Sequence, residues 1–126
     1  MENMHRYLKI SLLIAFLASL LAMGGGQKIA YSDVVIASAY NSLPGQTDGS
    51  PWTTASGSRC HEGVIASNHL PMGTRVMIEG FGDKVFVVED RMNKRYYKKV
   101  DIWFRDYDQA RKFGVRKLKY YVLASA

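Results

Sequence analysis

The sequence predicts a small all-β domain: a six-stranded β-barrel with one short helix before the last strand. Three observations predict it. Six short, apolar, β-branched runs follow one another closely, with turn residues between them. A single helical pattern interrupts the series, just before its final member. Strands and helices do not alternate, which points to a closed barrel rather than to βαβ units.

The chain begins with a segment that is not barrel material. "MENMHRYLK" supplies a basic start with Arg6 and Lys9, and "ISLLIAFLASLLAM" follows as 14 residues without a charge, ended by Gly24 to Gly26. That order is the pattern of a secretory signal. Ala22-Met23-Gly24 and Ala30-Tyr31-Ser32 both fit the small-x-small rule, so cleavage is expected after about residue 24 or 32. The alternative is an uncleaved membrane anchor, for which the run falls short of the roughly 20 residues a span needs. No cysteine follows it to carry a lipid. The expected division is therefore a signal over residues 1–32 and an exported domain over residues 33–126, periplasmic, wall-associated or secreted.

Within that domain the expected strands are 34–40 ("VVIASAY"), 64–67 ("VIAS"), 74–79 ("TRVMIE"), 84–90 ("KVFVVED"), 98–104 ("KKVDIWF") and 117–124 ("KLKYYVLA"). "LPMG", "GFGD" and "RMNKR" punctuate them. The helix is "YDQARKF": Asp106 followed by Gln109 resembles a capping box, and Gly114 stands where a glycine ends a helix. Between the first two strands lies a 23-residue loop, 41–63, too long to be filler in so small a domain and expected to be functional.

The composition narrows the partners. The 126-residue chain carries a formal net charge of +6, and residues 33–126 hold 14 Lys/Arg against 10 Asp/Glu. A basic exported domain suits an anionic partner such as a wall polymer, lipid headgroups or nucleic acid, while a merely solvated basic surface gives the same count. Cys60 is the only cysteine, which excludes an intramolecular disulfide and a multi-cysteine metal site. His61 beside it invites a Cys-His pair, but sequence neighbours rarely face each other productively. His5, His61 and His69 lack metal-motif spacing. No metal or other cofactor is expected.

Two carboxylates stand out. Asp90 ends the run "VFVVED" and by alternation shares a face with Phe86 and Val88; Asp101 interrupts "VDIWF" and shares a face with Trp103. An ionised carboxylate in apolar surroundings is costly unless paired or kept neutral. If the two meet, repulsion and desolvation raise the pKa of one, which is what a general acid near neutral pH requires. The structural reading stands beside it: Asp90 capping the turn 91–97, and Asp101 paired with Lys98, Lys99 or Arg105. The intervening "RMNKRYYKK" mixes Arg91, Lys94, Arg95, Lys98 and Lys99 with Tyr96 and Tyr97. That mixture suits nucleic acid, acidic sugars or a plain solvated hairpin turn equally.

The succession "ASAYN…QTDGSPWTTASG…EGVIASNHLPMGTRVMIEGFGDKVFVVEDRM…KKVDIWF…ARKFGVRKLKYYVL" resembles the 3D domain, a family named for three aspartates and found in membrane-bound lytic transglycosylase A and in small exported wall proteins. The resemblance covers nearly all of residues 35–123 and is most specific in "TASG", "LPMGT", the "ED" ending at Asp90, and "VDIW". It implies a double-psi β-barrel that cleaves the MurNAc-β-1,4-GlcNAc bond of peptidoglycan and leaves a 1,6-anhydro sugar. By resemblance Asp101 is the catalytic acid, and Asp90 tunes it or orients substrate. Thr54 and Gly57 would line the cleft, Asp48 of "QTDGSP" would contact substrate, and Arg91 and Tyr96 would meet the glycan. The family's first aspartate is replaced here by Asn68, which can hydrogen-bond but supplies no charge. Asp90 and Asp101 would then sit on adjoining strands opening onto one cleft, with Asn68 as its third corner. The implied partner is the peptidoglycan glycan strand, bound by a monomer, with no nucleic acid and no membrane contact beyond an uncleaved anchor. A non-catalytic glycan-binding barrel is the alternative.

Overall fold

A computed structural model describes residues 27–42 and 51–125. Six strands form: β1 (Ile29–Tyr40), β2 (Val64–Ser67), β3 (Arg75–Ile78), β4 (Val85–Asp90), β5 (Lys99–Trp103) and β6 (Arg116–Leu123), with helix α1 (Tyr107–Phe113) before β6. They close into a barrel in the order β1-β5-β2-β4-β3-β6. The pairs β1/β5 and β2/β4 are parallel, and the other four are antiparallel. The mixed six-stranded barrel and its helix agree with the sequence pattern.

One strand is longer than its apolar run. β1 starts at Ile29 rather than Val34, because its first half is held by antiparallel pairing to β6, from Ile29↔Leu123 to Ala37↔Arg116. Most of residues 29–34 stay exposed, so no run of buried residues marks them in the sequence. Residues 1–26 of the expected signal lie outside the described residues. Cleavage after residue 32 would remove four residues of β1, whereas cleavage after residue 24 would leave the strand whole.

Period-two alternation fills the barrel. Val35 and Ala37 of β1, Ile65 of β2, Val76 and Ile78 of β3, Phe86 and Val88 of β4, Val100 and Ile102 of β5, and Tyr120 and Val122 of β6 make one buried cluster. Burying each large apolar side chain contributes roughly 1.5–3 kcal/mol. Helix α1 starts where the Asp106 carboxylate accepts the Asp108 N–H at 2.8 Å, and it ends at Gly114, whose φ of +64° suits glycine. Its Phe113 packs against Phe81 and Phe104, with ring centroids 5.9 and 5.5 Å away, adding an aromatic layer to the core.

Two connections straddle strands, which corrects the hairpin expected for residues 85–104. β4 pairs with β2 and β3, and β5 lies on the far side of β2. Segment 91–98 therefore passes over the end of β2 rather than turning back on itself. The loop 41–63 likewise joins β1 to β2 with β5 between them. Each crossing is tied by side chains that hold backbone. Asn41 Nδ2 donates to the Phe104 and Arg105 carbonyls at 2.6 and 2.7 Å, and Arg91 Nη1 donates to the Ser67 and Leu70 carbonyls at 2.6 and 2.8 Å.

Candidate functional site

The site lies on the outside of the barrel wall. Because Val100 and Ile102 point into the core, Asp101 and Trp103 point outward, as do Val64 and Ala66 of β2 and Ser38 and Tyr40 of β1. The returning loop covers this face. Tyr40, Cys60, Val64, Ala66 and Trp103 form a second buried cluster, with Met92 packed against it.

Alternation alone would put Asp90 on the opposite, core-facing side with Phe86 and Val88. A bulge reverses that. The β2/β4 register runs Ile65↔Val88 and then Ala66↔Asp90, skipping Glu89. The extra residue turns Asp90 to the outer face. Asp101 also pairs with Ala66, from the other side, and with Ser38 on β1. The two aspartates are thus not on adjoining strands: β2 runs between them, and they flank its small Ala66.

Their environments differ. The Asp90 carboxylate accepts the Tyr40 hydroxyl at 2.9 Å and the backbone N–H groups of Ala55 and Arg91, each at 2.9 Å. Asp101 accepts from Ser38 Oγ at 3.0 Å, its one hydrogen-bond donor among the described residues. Burial pushes the Asp101 pKa up to about 6; the Asp90 charge pushes the same way, and the Ser38 hydrogen bond opposes both. The Tyr40 hydroxyl is held above its ordinary range, first by burial and then by Asp90, so it remains a proton donor to that carboxylate.

The "TASG" turn does reach the site. Thr54 is buried, and its hydroxyl lies 2.9 Å from Ser56 Oγ and 2.7 Å from Ser58 Oγ, while Gly57 adopts φ +88°. This turn delivers the Ala55 N–H to Asp90 and the Ser56 N–H to the Glu89 carbonyl at 3.0 Å. Thr54 and Gly57 therefore shape the turn that meets Asp90.

The remaining expected contacts are engaged within the protein. Asn68 Nδ2 donates to the Asn93 and Tyr96 carbonyls, both at 2.8 Å, and its Oδ1 accepts the Met92 N–H at 2.9 Å. Asn68 thus holds the 91–98 crossing, where Arg91 Nη1 also bonds backbone. Two cations lie over the Tyr96 ring, Arg95 at 4.8 Å and Lys99 at 4.5 Å. Asp48 lies outside the described residues. Cys60 is buried with its thiol pushed up by burial, while His61 Nε2 lies 3.2 Å from Glu89 Oε2, so the two are engaged separately. His69 contacts the Tyr97 carbonyl and the Tyr120 hydroxyl.

Ser38, Tyr40 and Trp52 are additions that the sequence reading did not single out. Ser38 and Tyr40 were legible in principle: they are two residues apart on the face of "VVIASAY" opposite Val35 and Ala37. What the assembled site can do is give up and take back one proton at Asp101 beside a carboxylate held by three hydrogen bonds. No protein-family model matches the chain, and a search of curated proteins finds no match.

Proposed function

We propose that the domain is a peptidoglycan lytic transglycosylase in which Asp101 is the single acid and base. The observation that carries this reading is the contrast in hydrogen bonding: Asp101 is desolvated with one donor, while Asp90 has three. A carboxyl with a pKa near 6 is protonated in a useful fraction of molecules around neutrality. It donates that proton to the glycosidic oxygen as the MurNAc C1–O bond breaks. The resulting carboxylate then takes the proton of the sugar's 6-hydroxyl as that oxygen bonds to C1, closing the 1,6-anhydro ring. A hydrolase needs a second free carboxylate to activate water or attack the sugar. Asp90 is held by three hydrogen bonds from Tyr40, Ala55 and Arg91, which restrains it for that task and favours the intramolecular route.

The crossings over β5 and β2, with their two parallel strand pairs, support a double-psi reading of the barrel. The N-terminal sequence pattern supports export, and the basic charge suits an anionic wall polymer. Digestion of purified peptidoglycan by the protein, read by mass spectrometry, tests the function. Anhydro-muropeptides that disappear with Asp101→Asn are expected; reducing-end products, or none, would overturn it. Asn68 favours one other reading, a glycan-binding module without turnover, because its amide is committed to backbone. Wall binding that persists in Asp101→Asn, with no product from the parent, would establish that instead.

A further inference from the structure

We propose that Trp52 and Arg59 form a sugar subsite beside the two aspartates, suited to an N-acetylated pyranose next to a carboxylate-bearing substituent. The proposal rests on the wall-glycan reading and names the residues that would hold the chain. Trp52 is 41% exposed, although the neighbouring Trp103 is fully buried. It is nevertheless held in place. Its ring meets Trp103 edge-on at 6.2 Å, its carbonyl accepts the Cys60 N–H at 3.0 Å, and Thr53 bridges to Arg59. An indole fixed in this way and left open to water is a preformed apolar surface, so little ordering is needed on binding.

The chemistry fits a pyranose. One face of a β-linked sugar ring presents C–H bonds, which pack on an aromatic plane, while its hydroxyls and amide remain free at the edge. The Arg59 guanidinium lies over the Trp52 ring, 5.3 Å from its centre, so a pyranose would pack on the indole surface that the guanidinium leaves exposed while the fork takes a carboxylate such as a lactyl group. Tyr96 is less available, since two cations, Arg95 and Lys99, lie over its ring where one lies over Trp52. The position is also suitable. Trp52 rests against Trp103, two residues from Asp101 on the same face of β5, and lies three residues before Ala55, whose N–H holds Asp90, so the indole belongs to the face that carries both aspartates.

Calorimetric titration of the Asp101→Asn protein, which leaves glycan uncut, tests this with two probes: chitotetraose and a GlcNAc-MurNAc tetrasaccharide. Trp52→Leu keeps an apolar contact with Trp103 but removes the aromatic plane, and is expected to weaken both probes about ten-fold or more. Trp52→Phe should lose less, and Arg59→Ala should weaken only the MurNAc probe. In Trp52→Leu, Trp103 is the only tryptophan, and blue emission from it reports that the loop still covers it. If that emission shifts to the red, the Trp52→Phe and Arg59→Ala titrations decide. Binding unchanged in all three variants, or no binding by the parent, overturns the subsite. Trp52-dependent binding without anhydro products keeps the subsite and removes the lytic reading; products with Trp52-independent binding do the reverse.

Discussion

Asp90 and Asp101 are eleven residues apart, carry the same side chain and share Ala66 as cross-strand neighbour, yet the fold treats them oppositely. Asp90 is a structural acceptor. Its three donors come from β1, from the covering loop and from its own strand end, so one carboxylate joins three parts of the chain. Asp101 has one such tie, to Ser38 on β1, and is desolvated beside the Asp90 charge. A charge that is well bonded stabilises the fold, whereas one that is stripped of water costs stability and becomes reactive. A single bulge in β4 brings the two together on one face, a carboxylate with three donors beside one with a single donor.

The largest break in that comparison should come from neutralising each aspartate in turn. Asp101→Asn is expected to lower anhydro-product formation by about 10²–10⁴-fold, the usual contribution of a positioned acid and base. Asp90→Asn should instead loosen the covering loop, because an amide nitrogen cannot accept from one or more of its donors, at a cost of about 1–3 kcal/mol. Urea denaturation and amide exchange of residues 52–60 check the second outcome. Equal stability of the two variants would erase the distinction.

The stability effects of the same variants should have opposite signs. The folded pKa of Asp101, about 6, lies above its ordinary value of 3.8, so the folded state binds more protons between those limits. Stability contributed by protonated Asp101 is therefore complete below about pH 4 and lost as pH rises through 6. Asparagine does not titrate. Asp101→Asn should match the parent near pH 4 and exceed it above pH 7, by at most about 3 kcal/mol at 1.36 kcal/mol per pH unit. Denaturation midpoints at pH 4, 6 and 8 measure this.

Placing an aspartate at position 68 sharpens the comparison from the other side. Asn68→Asp would set a carboxylate oxygen against the Asn93 and Tyr96 carbonyls, where two N–H donors now sit. A loss of about 1–3 kcal/mol is expected, with no gain in product, and denaturation alongside digestion assays tests both. A more active Asn68→Asp protein would show that the position belongs to the reacting group after all.

The strands and helix were legible because local rules decide them: β-branched runs between turn residues, an aspartate cap and a terminal glycine. The outward face of Asp101 was legible too, since Val100, Ile102 and Phe104 claim the other side. The face of Asp90 was not. A bulge depends on how β4 is paired with β2, more than twenty residues earlier, and strict alternation gives the wrong side. Strand order was hidden for the same reason, so the aromatic segment 91–98 resembled a hairpin turn when it is a crossing. The backbone bonds of Asn68 and Arg91 were hidden as well, because polar side chains that hold backbone are indistinguishable in sequence from those that hold substrate. β1 residues 29–33 left no trace, being paired without being buried.

The smallest effect isolates the partner that Asp101 does have. Ser38→Ala removes a hydrogen bond that favours the ionised form, so the Asp101 pKa should rise further. If the reaction begins with protonated Asp101, the rate falls as pH rises through that pKa. The alkaline fall in Ser38→Ala should then move to higher pH, by about one unit or less, given the worth of one hydrogen bond to a charge. A merely structural Ser38 would lower stability without moving the profile. Tyr40→Phe is the matched control, since Tyr40 bonds Asp90 instead. It removes one of three donors from the satisfied carboxylate and should reduce stability while changing the pH at which activity falls by less than Ser38→Ala does. If both variants move the profile equally, the two carboxylates titrate as one coupled pair, and the division of labour between them fails.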